Sequence, residues 1–223
     1  MLNNNKGDAP KTAFLVGATG LIGSHLLRLL LQSEHYRCVI VQARSLCPSE
    51  YHDMQMNGRL VWLDFDAKLP DGVDEFFCAL GTTQKQSGKA GLVKVDRDLV
   101  IKTAIAAVAA GAGLLSIVSA LGANDKSLFF YNRIKGQMEA GAERLNPDTL
   151  HLWQPSLLLG ERSESRSGES LASMVMTPNW LGNFSAREGA TVARAMINAA
   201  QVAKPEHIRY KVRSIDMFSK LTD

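Results

Sequence analysis

No stretch of this 223-residue chain approaches the ~18 consecutive apolar residues of a membrane-crossing helix, so no membrane span is expected. Lys and Arg never form a run of five, and the formal net charge is only +3, which argues against a nucleic-acid surface. Cysteine is scarce: Cys38, Cys47 and Cys78 are odd in number and form no C-x-x-C pair, so neither a disulfide framework nor a redox dithiol is supported. The five histidines are dispersed without metal-ligand spacing, and no metal site is expected. The first residues are polar and contain no apolar core of signal-peptide type. These absences predict a flexible leader over 1–11 and a cytoplasmic location with reduced thiols.

What is present is an ordinary globular balance, 46% hydrophobic and 21% charged, long enough for one domain with a full core over 12–223. An apolar run at 13–16 breaks at Gly17 and resumes as a helix with apolar positions Leu21, Ile22, Leu26, Leu27, Leu29 and Leu30. Between them lies Gly17-Ala18-Thr19-Gly20-Leu21-Ile22-Gly23, a strand–glycine turn–helix unit. Gly17 lets the chain leave the strand sharply, Gly20 offers no Cβ to obstruct a pyrophosphate, and Gly23 lets helix and strand pack closely. The helix start then turns free N–H groups and the positive end of its dipole toward phosphates. The whole turn, Thr19, Leu21 and Ile22 included, is assigned to a dinucleotide.

Further apolar runs at 37–41, 60–65, 75–80, 114–119 and 150–154 read as buried strands. Helical patterns at 96–110, 131–145 and 191–200 separate or follow them, and 207–212 reads as an edge strand. Strands that are apolar on both faces and separated by helices or loops predict a doubly wound parallel sheet of the Rossmann type, α/β in class. The polar stretch at 162–170 predicts a lid or substrate loop, taken as 161–190, with little room for more than a small C-terminal lobe.

Cofactor choice falls on the end of the second strand. An NAD site places a carboxylate about 20 residues beyond the glycines; this chain has Gln42-Ala43-Arg44-Ser45 there. Arg44 can pair with a 2′-phosphate bidentately and Ser45 can donate a further bond, so NADP(H) is the expected cofactor. Asp64 fits either an adenine acceptor or a turn carboxylate. Gly81, Thr82 and Thr83 fit either a cofactor wall or a plain turn, and Pro155 ends the sixth strand beside the same crevice.

Tyr131 and Lys135 stand four apart on a helix and share a face. A nearby ammonium favours phenolate, which predicts a lowered Tyr131 pKa. Ser119, at the carboxyl end of the fifth strand, faces the crevice where ligands of such sheets lie.

Gly17-x-x-Gly20-x-x-Gly23, Ser119 and Tyr131-x-x-x-Lys135 together resemble the short-chain dehydrogenase/reductase superfamily. Leu80-Gly81-Thr82-Thr83, Val95-Asp96-Arg97-Asp98, Gly160-Glu161-Arg162 and Val192-Ala193-Arg194-Ala195-Met196 are similar to its atypical branch around the Tat-interacting protein. The resemblance implies an NADP(H)-dependent oxidoreductase that reduces a small carbonyl-type substrate. Ser119 would bond the substrate oxygen, Tyr131 would protonate it, and Lys135 would tune Tyr131 and hold the cofactor ribose. Asp96 stands where many members have a relay asparagine, and Pro155-Ser156 where Pro-Gly is common. Two alternatives accompany this reading, an NADP(H)-sensing binding protein and an epimerase or dehydratase. Small apolar helix faces at 96–110 and 131–145 suggest a homodimer.

Overall fold

The computed structural model describes residues 9–82, 84–156, 158–159 and 187–221. Seven strands form one sheet: β1 (Lys11–Val16), β2 (Tyr36–Ala43), β3 (Leu60–Asp64), β4 (Glu75–Cys78), β5 (Leu114–Val118), β6 (Thr149–Gln154) and β9 (His207–Lys211). Their order is β3-β2-β1-β4-β5-β6-β9, and every neighbouring pair is parallel. A parallel sheet needs both faces covered, and β1 shows how the sequence meets that need. Ala13 and Leu15 point into one core and Phe14 and Val16 into the other, all fully buried.

The first core is closed by α1 (Leu21–Gln32), α6 (Gly189–Gln201) and Ile215 of α7 (Val212–Ser219). The second is closed by α4 (Val100–Ala109) and α5 (Phe130–Glu143). Strand order reverses between β1 and β4, so a crevice opens at the carboxyl ends of those two strands. That crevice positions the site.

Several elements differ from the expectations. The helix anticipated over 96–110 begins earlier, as α3 (Gln84–Val93), passes through a π-helical turn at Lys94–Leu99 and continues as α4. Its first part gives little apolar periodicity, and Gly88 (φ 67°) kinks it, so no periodic signal could mark it. Val212 starts α7 instead of extending β9; its side chain is fully buried, which one turn of sequence could not announce. A short α2 (His52–Met56) precedes β3, and a two-stranded parallel ribbon pairs β7 (Leu158–Leu159) with β8 (Arg187–Glu188). Residues 1–8 of the expected leader, and 161–186 of the expected lid, lie outside the described residues, while 189–190 already belong to α6.

Candidate functional site

The glycine turn has separate demands at each position. Gly17 takes φ 83°, and a Cβ there would stand 2.6 Å from the Ala79 backbone, where β1 and β4 end side by side. A Cβ on Gly23 would stand 1.9 Å from the Gly17 carbonyl oxygen, so helix and turn could not close. Gly20 differs: its added Cβ would meet only the Gly17 oxygen at 3.2 Å and the Ala79 oxygen at 3.8 Å. Packing therefore requires Gly17 and Gly23, while Gly20 keeps the mouth of the turn low. Gly20 caps α1 without a side-chain hydrogen bond, and the first helical bond runs from the Ser24 N–H to the Gly20 oxygen. The N–H groups of Leu21, Ile22 and Gly23 thus precede the helix's own ladder and remain available to an anion. These residues fit a dinucleotide pyrophosphate.

Arg44 and Ser45 follow β2 and Asp64 ends β3; all three are exposed at the carboxyl edge of the sheet. Ser45 and Asp64 line a cavity of about 550 Å³ with His52, Gln55 and Trp62. The Trp62 Nε1–H donates to the Ser45 carbonyl at 2.8 Å, which fixes the turn after Arg44. His52 and Trp62 were absent from the sequence-based candidates, because α2 brings His52 over only in the folded chain.

Gly81 and Thr82 follow β4, whereas Thr83 lies outside the described residues. The Thr82 N–H donates to Asp96 Oδ2 at 2.9 Å, and Asp96 Oδ1 lies 2.9 Å from Lys135 Nζ. Asp96 is 1% exposed and Lys135 2%, so this ion pair is shut off from solvent. The Lys135 Nζ also reaches the Val118 carbonyl at 3.4 Å, beside Ser119. Burial works against the charged lysine, but Tyr131 and Asp96 outweigh it and hold its pKa above the ordinary lysine value. The π turn carries Asp96 to this position, as such turns often do at sites.

Tyr131 does not behave as the sequence suggested. The residue is 38% exposed, yet burial around the phenol is the largest influence and raises its pKa above the ordinary tyrosine value; Lys135 lowers it and Asp96 raises it again. The lowered phenol expected from Lys135 is therefore corrected: burial, helped by Asp96, outweighs the ammonium's field. The phenol therefore stays protonated at neutral pH.

Ser119 is buried and its Oγ donates to Glu139 Oε1 at 2.5 Å. Glu139 also accepts from Gln154 Nε2 at 2.8 Å and Arg209 Nε at 3.0 Å. Tyr131, Lys135 and Glu139 follow at intervals of four on α5, so one helix face presents phenol, ammonium and carboxylate in succession. Continuing the four-residue step past Lys135 would have found Glu139 in the sequence. Gly136 lets the loop after β5 approach this helix, since a Cβ there would lie 2.1 Å from the Asp125 nitrogen. Pro155 is buried and its carbonyl accepts from the Leu121 N–H at 3.0 Å, tying the ends of β5 and β6 together. Burial pushes the Cys78 thiol up to about 12, which leaves it inert. Among the described residues no His/Cys/Asp/Glu cluster could hold a metal.

The structure sets Tyr131 and Lys135 one turn apart on α5 and Ser119 just after β5, and the glycine turn follows β1. The fold is that of the short-chain dehydrogenase/reductase superfamily. The chain belongs to the atypical branch of that superfamily that includes HTATIP2 and FMP52. Protein HTATIP2 of Rattus norvegicus is 37% identical over 195 residues, spanning 84% of this chain and 80% of that protein. FMP52-1 of Scheffersomyces stipitis is 33% identical over 203 residues, spanning 85% and 88%. No family model matches the chain.

Among solved structures, a short-chain dehydrogenase from Streptomyces avermitilis superposes with TM-score 0.64 at 14% identity, covering 95% of this chain and 92% of its own. MoeE5, in complex with UDP-glucose and NAD, gives TM-score 0.62 at 16% identity, covering 95% and 82%. The cytoplasmic expectation is overturned by the fungal relatives, whose names place FMP52 proteins in mitochondria. That expectation rested on reduced thiols and a polar start, and neither property distinguishes one reducing compartment from another. No helix of the described residues is long and apolar enough to cross a membrane.

Proposed function

We propose that this chain is an NADP(H)-dependent oxidoreductase that reduces a small carbonyl-type substrate. What supports the reading is the Tyr131–Lys135 step on α5, Ser119 just after β5 and the Gly17–Gly23 turn after β1. Bound there, the dinucleotide supplies the hydride. The chain's own residues do the rest. The N–H groups of Leu21, Ile22 and Gly23 hold the pyrophosphate, with Gly20 admitting it to the helix start. Arg44 and Ser45 meet a 2′-phosphate at the exposed end of β2; residues 42–45 carry no carboxylate, and Asp64, across the same cavity, serves as the adenine acceptor. Tyr131, whose pKa lies above the ordinary tyrosine value, stays protonated and gives its proton to the substrate oxygen. Lys135 keeps its charge beneath the crevice floor and contributes a fixed positive field.

The test is a fluorescence titration with NADPH and NADH side by side, on wild type, Arg44→Glu and Tyr131→Phe, followed by a carbonyl-substrate screen. Tighter NADPH binding that Arg44→Glu reverses, with turnover lost only in Tyr131→Phe, is the expected result. Equal affinity for both nucleotides would remove Arg44 as selector, and undiminished turnover in Tyr131→Phe would remove the phenol as proton donor.

One observation favours a second reading, an NADP(H)-responsive binding protein. The ammonium expected to serve Tyr131 is engaged by Asp96 at 2.9 Å, an arrangement that stabilises the crevice floor as much as it tunes a phenol. Binding of NADPH without turnover on any carbonyl in the screen would select that reading.

A further inference from the structure

The loop that leads into α5 holds two large apolar side chains out in water. Leu128 is 96% exposed and Phe129 69%, side by side at the amino end of the helix. A loose loop exposes such residues in passing, but this one is pinned along its length. The Asn124 N–H donates to the Asn132 carbonyl at 3.0 Å, and the Lys126 N–H to Asn124 Oδ1 at 2.8 Å. The Phe129 N–H donates to Ser127 Oγ at 3.2 Å, and Arg133 Nη1 to the Ser127 carbonyl at 2.9 Å. Phe130, next in the chain, is claimed by two cations: Lys89 Nζ of α3 and the Arg133 guanidinium each lie 5.6 Å from its ring centre. With Lys126, exposed two residues before Leu128, they form a cationic collar around an apolar tip. Between Gly122 and Arg133 the sequence has a single acid, Asp125.

Each part of this arrangement selects the occupant. Two adjacent large apolar side chains held in water gain free energy from whatever removes them from it. A residue as exposed as Leu128 protrudes, so a protein partner would need a pocket cut to receive it, whereas a lipid interface yields around a convex shape. The collar adds sign: cations at the edge of an apolar tip match anionic headgroups and repel a second copy of the same tip. We propose that the Leu128–Phe129 tip docks this chain on an anionic lipid surface, with both side chains at the acyl boundary and Lys89, Lys126 and Arg133 among the headgroups. This is independent of the reductase reading. Docking in that pose turns the amino end of α5, with Tyr131 two residues beyond Phe129, toward the bilayer.

The test is sedimentation of the full chain with sucrose-loaded vesicles of phosphatidylcholine, or of phosphatidylcholine with about one third phosphatidylglycerol, at low and high salt. Wild type should sediment with the anionic vesicles, far less with the neutral ones, and release as salt rises. Leu128→Ser combined with Phe129→Ser should weaken binding at least about tenfold, and Lys126→Glu about fivefold or more. These side chains are exposed, so the variants should melt as wild type does. Phe129→Trp should be quenched by lipids brominated on their acyl chains, beyond the background of the native tryptophans. The proposal is overturned if wild type ignores anionic vesicles, binds both kinds equally, or binds undiminished in the Leu128→Ser/Phe129→Ser variant. No added quenching in Phe129→Trp overturns it too. Self-association without vesicle binding, lost in the Leu128→Ser/Phe129→Ser variant, would assign the tip to a second copy and likewise overturn it.

Discussion

Lys135 and Asp96 form an ion pair 2.9 Å long with both side chains almost wholly removed from water. Breaking such a pair from one side leaves an uncompensated buried charge, which costs about 3–5 kcal/mol. Asp96→Asn keeps an oxygen for the Thr82 N–H but loses the charge that Lys135 faces. The expected result is destabilisation on the order of 3 kcal/mol in urea melts. The raised Lys135 pKa stabilises the folded chain below the unfolded lysine value of ~10.4 and fades as pH climbs through the folded value. In Asp96→Asn that contribution shrinks. Because Asp96 also raises the Tyr131 pKa, the alkaline limb of the pH–rate profile should move to lower pH. An unmoved limb would separate Asp96 from the phenol.

The glycines of the first turn should respond differently to one added methyl group. Gly23→Ala drives a Cβ to 1.9 Å from the Gly17 oxygen, and backbone must shift; a loss of at least ~2 kcal/mol is expected in thermal or urea unfolding. Gly20→Ala meets its nearest atom at 3.2 Å and should cost below ~1 kcal/mol while weakening NADPH binding at least ~tenfold. Similar binding losses without this stability contrast would mean that Gly20 serves packing alone.

His151 gives an acid-side prediction. It is fully buried in β6, edge-on to Tyr210 and Trp153, and burial pulls its pKa down to about 4. The unfolded chain takes up that proton near pH ~6.5, so it binds more protons than the folded chain between the two values. Stability is therefore full above ~6.5 and declines as pH falls toward the folded value, by on the order of 3 kcal/mol. His151→Gln should be less stable at neutral pH but show a flatter decline between the two values. Parallel curves for the two proteins would exclude His151 as the source.

Gly136 tests how closely the site depends on helix–loop contact. Its Cβ would overlap the backbone of Asn124 and Asp125, the loop that also donates the Asn124 N–H to the Asn132 carbonyl at 3.0 Å. Gly136→Ala should cost ~2 kcal/mol or more, and the surviving folded fraction should lose turnover before it loses NADPH binding. Equal loss of both would point to general unfolding.

Much of the fold was legible because burial on both faces leaves a strong mark. Strands such as Phe76-Phe77-Cys78 or Leu114-Leu115 have no polar alternation, and only a covered parallel sheet accepts that pattern. α3, α2 and α7 carried no comparable mark, being short or weakly periodic. Arg44 and Ser45 were singled out by their distance from the glycines and Asp64 by its place at the end of the third strand, yet His52 and Trp62, which line a cavity with Ser45 and Asp64, were not, since α2 supplies the first and a strand otherwise read as core supplies the second.

By itself the sequence determined the glycine turn, the sheet and the four-residue step from Tyr131 to Lys135, because each depends on local spacing and on apolar periodicity. Tertiary structure alone decided what those side chains feel. Asp96 arrives from 39 positions before Lys135 on a π turn, and Arg209 reaches Glu139 across 70 positions from the edge strand. A charge acts through distance and burial, and neither quantity is written along the chain. That is why the spacing set Tyr131 one turn from Lys135 but could not show that burial and Asp96 raise the phenol's pKa.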